Sequence, residues 1–182
     1  LIYLVYNVLG LKSENFFYLW NSLLIDYSLN TIYLVFLTSL FSLFLGIIPA
    51  WFVSTSNFRG KNFFDVILFL PLAIPSYIIA FTYSDLLSYT GPMQSFVRNN
   101  IPQLSPYVNQ DYLQIEILAF LMALVLYPYL YTACRISFSL IGSNYINISK
   151  NLGMSQFKTF FKIIIPISRV SIFSGLFLII ME

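Results

Sequence analysis

Residue types that usually carry chemistry are scarce in this chain. It has no histidine, a single cysteine at Cys134, and seven aspartates and glutamates among 182 residues. A disulfide within the chain is excluded. Cys/His metal sites, haem ligation by histidine and histidine general-base catalysis lose their donors. No cofactor is expected, and Cys134 reads as a small buried apolar residue near a helix end. There is no G-x4-G-K-[ST] run, so nothing here is built to cradle nucleotide phosphates. What remains is backbone chemistry and one basic segment. Pro71 and Pro75 lie four apart in FLPLAIPSY, and Pro128 sits among three tyrosines in LYPYLYTAC. Each proline lacks an amide hydrogen and clashes one turn back, so the carbonyls of Ile67 and Pro71 lose their helical partners. Such breaks either line a path through a membrane or help helices pack. Tyr127, Tyr129 and Tyr131 read as an interface belt near a helix end. The other reading is a set of hydroxyls along a polar path.

The elements that position these residues follow from composition. The chain is 59% hydrophobic, 19% aromatic and only 9% charged, against about 25% charged in soluble domains. That is too little polar surface to cover a fold in water, so the chain is an integral membrane protein. A net charge of +2 implies no polyelectrolyte partner such as nucleic acid. Charge-free runs cover Tyr27 to Phe58, Val66 to Ser84 and Ile117 to Cys134, each long enough to cross a bilayer. Three whole spans are expected near 29–53, 64–88 and 114–134. Partial spans at about 1–11 and 170–182 look cut mid-helix, so the chain is expected to be a fragment of a longer protein. Spans in lipid must satisfy their own backbone, and continuous apolar runs favour helices over a barrel. The expected fold is an all-α, polytopic transmembrane helix bundle of about five spans, in one domain over 1–182.

Basic residues set the orientation. The loops at 54–63 and 135–169 hold Arg59, Lys61, Arg135, Lys150, Lys158, Lys162 and Arg169, whereas those at 10–28 and 89–113 hold Lys12 and Arg98. The first pair therefore faces the cytoplasm. Trp20, Trp51, Tyr77, Tyr107, Tyr112 and the three tyrosines around Pro128 mark the interfaces. A short interfacial helix is expected at 93–99. Asp85 and Glu116 fall at outward helix ends, and the cores of the three whole spans carry no charge.

The loop at 135–169 contains the most punctuated stretch, IGSNYINISKNLGMSQFKTFFKIIIP. Ser143 or Asn144 can cap a short helix running to about Leu152. Gly153 stands where a left-handed C-cap is wanted. Ser155 can cap a second helix, Gln156 to Ile165, ended by Pro166. Phe157, Phe160, Phe161, Ile164 and Ile165 share one helical face, with Lys158 and Lys162 on another. An amphipathic helix lying on anionic headgroups accounts for the second helix. It does not account for the first helix and the glycine corner, which make an elbow suited to a protein partner.

These residues resemble the cytoplasmic loop of membrane subunits of binding-protein-dependent ABC importers, whose form is E-A-A-x3-G-x9-I-x-L-P. Gly153, Ile163, Ile165 and Pro166 reproduce its second part, with Ile165 in place of leucine. The triplet falls on Asn147, Ile148 and Ser149, a departure that removes the acidic charge. The spans from about Leu29 to Glu182 resemble permeases of ferric-iron importers, in which one polypeptide carries two homologous halves; this chain resembles most of the first half. The resemblance implies a non-enzymatic permease in a bacterial inner membrane, passing a small solute, with ferric iron foremost. Thiamine, polyamine, sulfate or another small solute stays open. It implies three partners besides the lipid bilayer: a cytoplasmic ABC ATPase, an external solute-binding protein and a second permease half. The coupling residues would be Asn147, Ile148, Ser149, Leu152, Gly153, Ile163, Ile165 and Pro166. The alternatives are an ion-gradient-driven transporter, which usually needs ionisable residues inside the spans, and a membrane scaffold. A polytopic membrane enzyme has no supporting cluster of His, Asp or Cys.

Overall fold

A computed structural model describes residues 24–101 and 112–182. The partial span expected at 1–11, much of the two outer loops, Trp20 and Tyr107 lie outside the described residues. Every regular element among the described residues is helical: α1 (Ile25–Thr55), α2 (Lys61–Phe69), a 3₁₀ turn (Leu70–Ala73), α3 (Ser76–Leu87), α4 (Pro92–Asn100), α5 (Ile115–Asn151), α6 (Gln156–Thr159), a π turn (Phe160–Ile164), α7 (Ile165–Ile167) and α8 (Arg169–Met181). The fold is the all-α, polytopic helix bundle expected from composition. Helices Ile25–Thr55 and Ile115–Ile141 are long and apolar enough to cross a membrane. Two bent pairs raise the number to four if each is one span: Lys61–Ala73 with Ser76–Asn100 at 75°, and Gln156–Ile167 with Arg169–Met181 at 70°.

The core is built by close approach. Thr38, Ser42, Gly46 and Ala50 recur every four residues along α1 and are buried. Small residues at this spacing form a flat stripe that lets a second helix approach, the main source of helix association where lipid removes the hydrophobic drive. The facing stripe on α5 holds Ala119, Ala123, Leu126, Leu130 and Cys134, all buried. Leu130 is the central knob. A Cβ on Gly46 would stand 3.1 Å from the Leu130 Cβ, and one on Gly175 of α8 would stand 2.9 Å from the Leu130 Cα. One leucine thus fills the gap left by two glycines on different helices. Edge-on Phe41 and Phe120 extend the α1–α5 contact, with ring centroids 5.6 Å apart. The Tyr33 hydroxyl also donates to Glu116 at 3.1 Å.

Outside this core the chain presents apolar side chains. Phe36, Phe44, Phe52, Phe173 and Phe177 are all exposed. Such a surface suits acyl chains or further helices, not water.

The short helix expected at 93–99 is α4, Pro92–Asn100. It folds back on α3 through Gln94, whose buried amide donates to the Leu87 carbonyl at 2.8 Å. Gly91 makes the turn possible, because a Cβ there would stand 2.5 Å from the Asp85 carbonyl oxygen.

Candidate functional site

The basic, punctuated segment folds as an elbow. Its first leg is not a separate helix. α5 runs unbroken from Ile115 to Asn151, through Ser143 and Asn144, where the sequence suggests a new cap. Those residues sit in mid-helix because no proline follows Pro128 in α5, and Gly142 alone does not stop the helix. The helix then ends as its glycine requires. Gly153 has φ of 72°, and the Met154 amide reaches back to the Ser149 carbonyl at 2.9 Å. This is the Schellman closure, with glycine in the left-handed position. Nothing lies within 4 Å of a Cβ built on Gly153, so backbone conformation alone selects glycine here.

The last turns of α5 sort by side. Ser149 is buried and its hydroxyl donates to the Tyr145 carbonyl at 2.7 Å. Asn147, Ile148 and Leu152 point outward, with Leu152 72% exposed. Ile148 and Leu152 are one turn apart, so they form a small apolar tip beside the glycine corner.

The second leg starts at Ser155, whose hydroxyl caps the Lys158 amide, as the sequence predicts. It does not continue as one α-helix to Ile165. Residues Phe160–Ile164 form a π turn, and Pro166 lies within α7 instead of ending the leg. The break comes at Ser168, where the 70° bend begins. A π turn admits an extra residue into the helix, which changes the face each later residue occupies. Hence the apolar set is divided. Ile164 is buried, Phe160, Ile163 and Ile165 are half-buried, and Phe157 and Phe161 are exposed. Phe160 packs against Trp51 of α1 with centroids 4.8 Å apart, and Phe138 of α5 meets both rings at 6.2 Å. Ser137 and Ser168 share a hydroxyl hydrogen bond of 3.0 Å. The second leg is therefore fastened to α1 and α5, and the Ile148–Leu152 tip projects beyond it.

Pro71 and Pro75 break the helix as their spacing predicts, but the freed carbonyls are satisfied within the segment. The Leu70 amide bonds the Ile67 carbonyl, and the Ile74 amide bonds the Pro71 carbonyl at 3.1 Å. Tightening to a 3₁₀ turn is one way a broken helix meets its backbone requirement in lipid. Pro128 lies fully buried inside α5, which continues through it.

Two polar features were not legible in the sequence. The first joins α2 to α5. Asp65 forms an ion pair with Arg135 and accepts a hydrogen bond from the Tyr131 hydroxyl at 2.6 Å. Tyr131 and Tyr127 are buried, which departs from the interface belt expected of them. The physical reason for Tyr131 is Asp65, a carboxylate at the head of an apolar segment that needs donors. The second feature lies at the proline break. Ser76, the first residue of α3, donates to Glu182 at 3.0 Å. Both line a hollow of about 310 Å³ with Thr31, Thr38, Met122 and Ile179 among its walls. The signal for it was a lone glutamate following the uncharged apolar run from Val170 to Met181.

Comparison with known proteins gives a consistent picture. Residues 42–182 match the family model described as binding-protein-dependent transport system inner membrane component. The sulfate transport system permease protein CysT of Salmonella typhimurium is 24% identical over 145 residues, 80% of this chain and 50% of that protein. The molybdenum transport system permease protein ModB of Haemophilus influenzae is 28% identical over 139 residues, 76% of this chain and 58% of that protein. The molybdate/tungstate transport system permease protein WtpB of Pyrococcus abyssi is 25% identical over 144 residues, 76% of this chain and 48% of that protein. The chain spans about half the length of these curated relatives.

Proposed function

The chain belongs to the family of binding-protein-dependent transport system inner membrane components, and from that premise we propose that it is a membrane-spanning subunit of an ATP-driven importer. Its part is to form a portion of the solute path and to couple that path to a cytoplasmic ATPase through the elbow. The observation that carries the coupling role is the Gly153 corner, which holds Ile148 and Leu152 outward while the second leg is fastened to α1 and α5. A tip of this kind can seat in a partner and transmit its movement to the bundle, because its base does not give. Asn147, Ile148, Leu152 and Gly153 form the docking side, and Ser149, Ile163, Ile165 and Pro166 support it. Chemistry is assigned to the ATPase and none to this chain. A solute-binding protein would deliver substrate at the outer face, and a second permease half would complete the path.

Ferric iron, the substrate that the spans suggest by resemblance, finds no support in these relatives, which are sulfate and molybdate permeases. Identities of 24–28% over about half their length leave the solute to be read from this chain's own residues. The ion-gradient alternative and the scaffold alternative both leave the elbow without a role.

The test is a reconstitution of the full-length permease with its ATPase in proteoliposomes. Leu152→Asp and Ile148→Asp are expected to lower ATPase stimulation at least tenfold while thermal stability is kept, since both side chains are exposed. Wild-type stimulation in both variants rules out this elbow as the coupling contact.

A further inference from the structure

We propose that the hollow at the proline break is a station on the solute path that selects for cations, with Glu182 as the selecting group. This inference rests on the importer reading above and deepens it by naming the charge class of the solute.

Position is the first reason. α8 begins at Arg169 and runs 13 residues to Met181, a rise of about 20 Å at 1.5 Å per residue. Glu182 keeps the helical register, its amide bonding the Leu178 carbonyl at 3.3 Å. Taking Arg169 at the cytoplasmic edge, as the distribution of basic residues suggests, and α8 along the bilayer normal, the carboxylate would lie roughly two-thirds of the way through a hydrocarbon core of about 30 Å. A carboxylate at that depth is expensive and persists where a polar cavity or a functional demand supports it.

Surroundings are the second reason. Among the described residues that line the hollow, Glu182 is the charged one. Its partner is the Ser76 hydroxyl, at the start of the helix that the Pro71–Pro75 break creates. The opposite wall supplies Thr38. That side chain is 6% exposed, its hydroxyl makes no hydrogen bond among the described residues, and it lines the same hollow. A hydroxyl on the wall of a cavity large enough for several waters suits a passing hydrated ion. The net field is that of one negative charge. Such a charge attracts a cation and repels an oxyanion by comparable amounts. The site therefore differs in charge from one suited to the sulfate or molybdate named for the relatives.

The experiment works whatever the solute is. A full-length permease without native cysteines, including Cys134→Ala, receives a reporter thiol by Ser76→Cys or, independently, Thr38→Cys. Each is reconstituted with its ATPase and labelled, with and without ATP, by a cationic and an anionic methanethiosulfonate of similar size. The ratio of the two rates cancels any change in thiol reactivity. The expected ratio favours the cationic reagent by about tenfold or more. It falls towards parity with Glu182→Gln and inverts with Glu182→Arg. A ratio near one, a ratio unmoved by Glu182→Gln, or two thiols that neither reagent reaches each overturns the proposal. ATPase stimulation in the same vesicles reports separately on the importer reading. Stimulation without charge selection defeats only the cation station, whereas no stimulation in the wild type defeats the importer itself.

Discussion

The Tyr131 hydroxyl donates to the Asp65 carboxylate at 2.6 Å, tying the middle of α5 to the middle of α2. Arg135, one turn further along α5, pairs with the other oxygen of the same carboxylate. Asp65 is therefore met from one helix by a neutral donor and a charged one. Beside them lies an open hollow of about 270 Å³ lined by Val66, Phe69 and Thr132 as well as the three polar residues.

Removing one member leaves the others with unmet polar groups. Tyr131→Phe and Asp65→Asn are each expected to destabilise the permease by about 1–2 kcal/mol. A double-mutant cycle on thermal unfolding in detergent should give a coupling energy above about 0.5 kcal/mol. Additive effects would show that the hydrogen bond carries no stability. The ion pair itself is half-open to its surroundings, with side-chain exposures of 39% and 21%, so its own contribution is discounted for screening.

Gly153→Ala should lower stability by about 1–2 kcal/mol, the cost of a left-handed backbone on a residue with a Cβ. Gly153→Asn should cost less, since asparagine tolerates this region. An equal loss in both variants would mean that something other than φ selects glycine at the corner.

Gly175→Ala should be worse than Gly46→Ala. The new methyl at 175 meets the Leu130 backbone at 2.9 Å, whereas at 46 its nearest neighbour is the Leu130 side chain at 3.1 Å. Side chains shift more readily than helices, so the difference is expected to be about 1–3 kcal/mol in thermal unfolding. The reverse order would place the flexibility in α8 instead of in the leucine.

Asn147 stands where the loop form that this segment resembles carries glutamate. Asn147→Glu is expected to raise ATPase activity coupled to transport, by restoring a charged acceptor on the docking side. No change, or a drop, counts against a weakened contact in this half.

The fold was largely legible because charge-free runs mark helices that lipid will accept. Gly153 and Ser155 were legible as caps because each acts through its own backbone and nearest turn. Ser143 and Asn144 misled for a related reason. A capping residue also fits inside a long helix when no proline stops it, and α5 passes through both as well as through Gly142. The π turn at Phe160–Ile164 left no trace in residue types, since it is a change of register and not of composition. The Asp65–Tyr131 bond links residues 66 apart in sequence, and the Ser76–Glu182 bond links residues 106 apart. No local pattern encodes contacts of that separation. They follow only once the small-residue stripes have fixed which helices meet.

Double replacement of Pro71 and Pro75 by alanine should restore amides that can continue the helix. Spin labels at Phe63 and Phe81, both exposed, should then move apart as the 75° bend opens. An unchanged distance would assign the bend to packing against α5.

Leu130 touches what would be side chains on Gly46 and Gly175 and is wholly buried. α1, α5 and α8 are in effect keyed on a single axle. While that leucine stays seated, none of the three can slide past another, because a glycine notch holds a branched side chain on either flank. In the proposed importer, alternation between two faces of the membrane would then be taken up elsewhere. The joints that can supply it are Ile74–Ser76 and Ser168, where the helices already bend. The elbow's second leg meets α8 at one of them, so a push on the tip arrives at a pivot.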